Sequence, residues 1–120
     1  MKLFRVLYVE DSLEIREAIC QLMQDSGRQI HACETAEEAW DAFSASEFDL
    51  VVTDVSLPGF SGTELTRRMV AAKPQQWIVL CTGYRLPQDL STLGANVRSL
   101  PKPFEVEELE ATISEIASML

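Results

Sequence analysis

Five polar residues follow short apolar runs in this chain: Glu10 and Asp11 after Val6–Val9, Asp54 after Leu50–Val52, Thr82 after Trp77–Cys81, and Lys102 after Asn96–Leu100. If those runs are parallel strands, all five residues reach one edge of a sheet. Two carboxylates about 4 Å apart repel by roughly 4 kcal/mol at an effective dielectric of about 20, so three gathered together need a proton or a cation. Oxygen donors with no His or Cys beside them favour Mg²⁺, with Mn²⁺ as the other candidate. On this reading Asp11 and Asp54 are direct ligands, the backbone carbonyl of Ser56 is a third, and Glu10 is a partner through water. Beside such an ion Asp54 can attack phosphorus and become an acyl phosphate. Lys102 supplies further positive charge, and the Thr82 hydroxyl with the backbone N–H groups after Asp54 can bind phosphoryl oxygens.

The runs are short, near-continuous and rich in Val, Ile and Leu, which suits strands covered on both faces. Helical periodicity fills the segments between them. That alternation predicts a doubly wound parallel sheet, a fold that binds ligands outside the carboxyl ends of its strands. Ser12 reads as the N-cap of a helix with an apolar stripe of Ile15, Ala18, Ile19, Leu22 and Met23, stopped by Gly27. Ile30–Cys33 reads as the second strand. Thr35 and Glu38 have the spacing of a capping box, opening a helix whose Ala39, Trp40 and Phe43 face inward. Pro58 and Gly59 mark a tight turn before a helix from Gly62 that Lys73 and Pro74 close. Pro87 suits the first position of a short helix ended by Gly94. The last helix runs from about Glu105, burying Val106, Leu109, Ile113, Ile116 and Leu120.

At 120 residues with 47% hydrophobic content, the chain has room for a single domain, residues 1–120, with one sizeable core. It carries no apolar run long enough to span a bilayer and no secretory pattern at its start, so a cytoplasmic location and no membrane partner are expected. The formal net charge of −9 disfavours nucleic acid as a partner and points to metal or basic proteins. Cys20, Cys33 and Cys81 fit neither a zinc site nor a CxxC motif and read as reduced thiols.

The four strand-end pieces, in this order and at these intervals, resemble the receiver domain of two-component response regulators, the CheY-like superfamily, along the whole chain. The matching residues are Glu10 and Asp11; Asp54, Pro58, Ser61 and Gly62; Thr82 and Gly83; and Lys102, Pro103 and Phe104. The resemblance implies a flavodoxin-like (βα)5 sheet of strand order 2-1-3-4-5 and a cis peptide between Lys102 and Pro103. It implies Mg²⁺-dependent transfer of a phosphoryl group to Asp54 from a phosphohistidine on a histidine kinase or phosphotransfer protein. The domain would then catalyse only its own phosphorylation and dephosphorylation, and it would act through a downstream effector or a fused output domain.

Departures from the family pattern bear on the switch. An aromatic residue three places before the lysine is expected to turn inward behind Thr82 on phosphorylation; here that place is Ser99, which cannot fill the vacated space. Tyr84, or the loop from Tyr84 to Gln88, is expected to carry the signal instead. Ser56 and Tyr84 also occupy the positions two beyond Asp54 and Thr82, where family members vary the lifetime of the acyl phosphate, and Tyr84 is bulky enough to shield it. The last helix carries Glu105, Glu107, Glu108, Glu110 and Glu115 with no Lys or Arg, which speaks against a dimer built on alternating salt bridges and leaves an acidic face for solvent or a basic partner.

Three other classes compete. A haloacid-dehalogenase-like phosphatase would resemble this pattern only with a second Asp two residues after the nucleophile, where Ser56 stands. A flavodoxin-like electron carrier needs a hydroxyl- and glycine-rich phosphate cradle where Glu10 and Asp11 would repel it. A pseudo-receiver that only docks proteins has no use for the full charged set.

Overall fold

In the computed structural model, which describes residues 3–24, 27–83 and 92–120, each apolar run is a strand. Strands β1 (Phe4–Val9), β2 (Arg28–Cys33), β3 (Leu50–Asp54), β4 (Trp77–Thr82) and β5 (Val97–Pro101) form one sheet in the order β2-β1-β3-β4-β5, every pair parallel. The described helices are α1 (Leu13–Met23), α2 (Ala36–Ala45), α3 (Gly62–Ala72) and α4 (Val106–Ser118). One face of the sheet packs Leu7, Val9, Val51, Ile78 and Leu80 against Ala39 and Phe43 of α2 and Leu65 and Met69 of α3. The other packs Val6, Tyr8, Leu50, Val52 and Val79 against Met23 of α1 and Leu109, Ile113 and Ile116 of α4. Successive β1 residues thus enter opposite cores, as the pleat dictates, and the inner strands β1, β3 and β4 read as near-continuous apolar runs because both of their faces are covered.

Three helices start on a hydroxyl. The oxygens of Ser12, Thr35 and Ser61 accept from the N–H groups of Ile15, Glu38 and Glu64 at 3.4, 3.1 and 3.1 Å, each satisfying a donor that the first helical turn leaves open. At α4 the Glu108 carboxylate reaches back to the Glu105 N–H at 3.1 Å. Burial of Leu109, Ile113 and Ile116 holds α4 to the sheet, each such side chain contributing about 1.5–3 kcal/mol.

Several details differ from the sequence reading. Of the expected α1 stripe only Met23 is buried, whereas Ile15 and Leu22 are 48% and 46% exposed and Ala18 is exposed. The inward stripe is instead Arg16, Ile19, Cys20 and Met23, the same 3.6-residue period rotated toward a cation that hydropathy does not count. Trp40 packs against the core as expected but is only half-buried, stacking on Phe43 at 5.9 Å. Val106 is half-buried and Leu120 is exposed beyond the end of α4. β2 begins at Arg28, two residues earlier than its apolar signal, because it is an edge strand with several solvent-facing positions. The short helix expected from Pro87 falls mainly on residues 84–91, outside those described.

All three thiols are free. Burial pushes Cys33 up to about 11, with Glu38 adding to the shift and Arg16 opposing it. Burial also pushes Cys81 up to about 12, Lys102 opposing and Asp54 and Glu10 adding. Raised thiol values leave little thiolate near pH 8, so Cys33 and Cys81 are expected to resist a thiol reagent in the native state and to react once urea unfolds the chain. Rapid native labelling of Cys33 would contradict this packing. Among the described residues no helix is long and apolar enough to cross a membrane.

Candidate functional site

The chain leaves β1 toward β2 on one side and returns to place β3 on the other, so the sheet's topological switch lies between the carboxyl ends of β1 and β3. There one carboxylate oxygen from each of Glu10, Asp11 and Asp54 lies within 4.8 Å of the other two. Lys102 enters from the end of β5, its Nζ 2.8 Å from Asp54 Oδ1 and 3.8 Å from Glu10 Oε1. Glu10 is 3% exposed and its Oε2 accepts from the Ser12 N–H at 3.0 Å. Burial raises the Glu10 carboxyl above the usual range; Asp11 and Asp54 add to the rise, and the Ser12 N–H and Lys102 work against it. Burial draws Lys102 down, but its hydrogen bond to Asp54 and the charges of Asp54 and Glu10 outweigh that and raise it, so the ammonium stays charged.

Backbone ladders run past the strand ends and bring these positions into register. Glu10 N–H donates to the Cys33 carbonyl at 3.0 Å, Val55 N–H to Cys81 at 3.1 Å, and Lys102 N–H to Thr82 at 2.7 Å. The Lys102–Pro103 peptide is cis, and Phe104 packs on the core beneath α4. After β3 the chain turns at Gly59, whose φ of 76° is the left-handed region that glycine enters freely. It then comes back so closely that a β-carbon on Gly62 would overlap the Asp54 carbonyl oxygen and lie 3.1 Å from Val55 Cα. Gly62 N–H donates to the Val55 carbonyl at 2.9 Å, and the Thr66 hydroxyl donates to the Gly62 carbonyl at 2.8 Å.

The structure therefore brings together Glu10, Asp11, Asp54 and Lys102. Thr82 is buried at the end of β4, opposite Pro101 of β5. Ser56 is exposed in the turn after β3. Ser99 is exposed on β5, two residues from the buried Val97 and so on the same face of the strand. Tyr84 lies outside the described residues. Sequence reasoning missed Arg16, whose Nη1 donates to the Glu10 carbonyl at 2.9 Å; its place at the head of the α1 inward stripe was the available signal. The acidic face of α4 is also less bare than its composition suggests, because Glu110 pairs with Arg28 of β2 at 2.9 Å and Glu115 with Arg98 of β5 at 3.2 Å.

A doubly wound sheet with three carboxylates and a lysine at its switch point defines a CheY-like signalling domain rather than a nucleotide-binding one. The chain belongs to the response regulator receiver domain family of two-component systems, whose sequence model matches residues 6–114. Among curated proteins it is 34% identical over 111 residues to YkoG of Bacillus subtilis, an uncharacterized transcriptional regulatory protein, covering 90% of this chain and 48% of that one. The chain thus spans about half the length of that relative. Among solved structures, chemotaxis protein CheY4 of Vibrio cholerae is 27% identical with a TM-score of 0.85, covering 95% of this chain and 98% of that one. Response regulator TrrA of Thermotoga maritima, solved in complex with Mg²⁺ and BeF, is 32% identical with a TM-score of 0.83, covering 97% and 99%.

Proposed function

We propose that Asp54 accepts a phosphoryl group from a phosphohistidine on a sensor kinase or phosphotransfer protein, and that the modified domain signals through protein contacts. The observation that carries this reading is the Asp54 carboxylate, held among Glu10, Asp11 and Lys102 with 13% of its side chain open to a donor. An Asp54 Oδ attacks phosphorus while the P–N bond to the donor imidazole breaks, its electron pair leaving on the ring nitrogen; the product is an acyl phosphate. Lys102 Nζ already bonds Oδ1 and is placed to follow the charge onto a phosphoryl oxygen, with the Thr82 hydroxyl as a further partner. The donor set is all oxygen and too crowded with negative charge to stand alone, which fits Mg²⁺, with Mn²⁺ suited to the same atoms. Asp11, Asp54 and the Ser56 carbonyl would hold the ion directly and Glu10 through water; when bound, it neutralises charge on the incoming phosphoryl oxygens. Incubation with acetyl phosphate and Mg²⁺, read by intact mass, tests the reading.

The same reading places the donor on α1. Leu13, Ile15 and Leu22 are exposed large apolar residues on the helix that starts beside Glu10 and Asp11. Ile15 and Leu22, seven residues apart, share one face of the helix, and a helix bearing the phosphohistidine would cover them. Changing Ile15 and Leu22 to Asp is expected to slow transfer from a partner protein by tenfold or more, since a central apolar anchor is worth about 2 kcal/mol, and to leave uptake from acetyl phosphate intact. Equal loss with both donors would refute the docking role. Downstream, Ser99 offers no ring to turn behind Thr82, so output is assigned to Tyr84 and the residues up to Gln88, acting on an effector or fused output domain in the cytoplasm.

A further inference from the structure

The first turn of α1 holds a cation that phosphoryl transfer leaves unused. Arg16 is half-buried on the inward stripe of α1, and among the described residues it forms no ion pair, although Glu10 and Asp11 stand in the adjacent turn. Its guanidinium instead donates to the main chain of that turn, Nη1 to the Glu10 carbonyl at 2.9 Å, and its own N–H donates to the Ser12 carbonyl at 2.8 Å. The Ser12 N–H in turn donates to Glu10 Oε2 at 3.0 Å. Residues 10–12 are therefore held from both sides: the Glu10 carbonyl by a side chain, and the Glu10 carboxylate by a peptide N–H.

We propose that Arg16 is a positioning residue of the acidic pocket: its bond to the Glu10 carbonyl fixes the turn that gathers the carboxylates of Glu10, Asp11 and Asp54, and so sets the affinity for a divalent cation. The inference rests on the pocket being a Mg²⁺ site. Mutual repulsion drives three carboxylates within 4.8 Å apart, and a turn left free at Glu10 relaxes outward in response. Groups that orient ligands without touching the metal commonly change its affinity 10- to 100-fold when removed. The sign separates positioning from charge. A guanidinium near the pocket repels a divalent cation, so if Arg16 acted only through its charge, removing it would tighten binding; if it acts by holding the turn, removing it weakens binding.

The experiment titrates Mg²⁺ alone into the wild-type chain, Arg16→Met, Arg16→Gln and Arg16→Lys, following the amide resonances of Asp11 and Ser12, with urea unfolding measured on each. Arg16→Met keeps an apolar stem on the inward stripe, and Arg16→Gln is too short to reach the Glu10 carbonyl; both are expected to raise the Kd about tenfold. Arg16→Lys, whose ammonium can donate to the same carbonyl, is expected to recover most of the loss. Unchanged or tighter binding in a folded Met or Gln variant overturns the inference, as does a Lys variant no better than Met. A wild-type chain that fails to bind Mg²⁺ at all overturns the metal reading beneath it, a result distinct from either.

Discussion

Replacing Asp54 by Asn is expected to abolish phosphoryl uptake from acetyl phosphate, while the wild-type chain gains the mass of one phosphoryl group in the presence of Mg²⁺. An amide nitrogen or oxygen at this position lacks the negative charge that makes a carboxylate a nucleophile toward phosphorus. The neighbouring acids cannot substitute at the same geometry. Glu10 is buried at 3% exposure and its carboxylate is already engaged by the Ser12 N–H at 3.0 Å, so it is far less accessible to a donor. Asp11 is exposed, but Lys102 is bonded to Asp54 and not to it, so charge developing on an Asp11 phosphate would lack that ammonium. Full uptake by Asp54→Asn would place the acceptor elsewhere. A wild-type chain that takes up nothing under the same conditions would favour a docking module over a phosphoacceptor.

Gly62→Ala is expected to destabilise the fold by about 3 kcal/mol, the upper end of ordinary overpacking, measured as a lower urea midpoint. Helix propensity alone argues the opposite way, since Ala is better than Gly in a helix by about 1 kcal/mol. The geometry decides between them. The atoms a new methyl would meet are the Asp54 carbonyl and Val55 Cα, all main chain, so no rotamer change relieves the overlap. Relief must come from moving the end of β3 or the start of α3, and the first of these shifts disturbs the 2.8 Å contact between Asp54 and Lys102. Phosphoryl uptake is therefore expected to fall together with stability. An alanine variant at least as stable as wild type would show that the β3–α3 turn is looser than this close approach requires.

Much of the site was legible in the chain because strand ends are legible. Apolar runs announce themselves, those of β1, β3 and β4 most clearly because they are buried along nearly their whole length, and parallel topology sends whatever follows them to one edge, so Glu10, Asp11, Asp54 and Lys102 could be grouped before any coordinates. The order of the strands came from the family resemblance, since no local pattern encodes which strand lies beside which. Arg16 escaped notice because periodicity counts apolar residues, and a cation heading a buried stripe shifts the apparent face of α1 toward Ile15 and Leu22. The pairs Arg28–Glu110 and Arg98–Glu115 joining α4 to the two edge strands were equally hidden, because they link residues far apart in sequence and composition alone shows only a row of glutamates. β2 was underread at its start for the ordinary reason that an edge strand needs fewer apolar residues.

The hydrogen bonds that extend the ladders beyond the strands join peptide groups only: Glu10 to Cys33, Val55 to Cys81, Lys102 to Thr82. Such links are indifferent to side-chain identity, so the dimensions of the pocket are inherited from the polypeptide itself. Substitution across most of the remaining surface can then proceed without respacing the reactive groups, which is how so unlike a set of sequences can share one nearly superimposable scaffold.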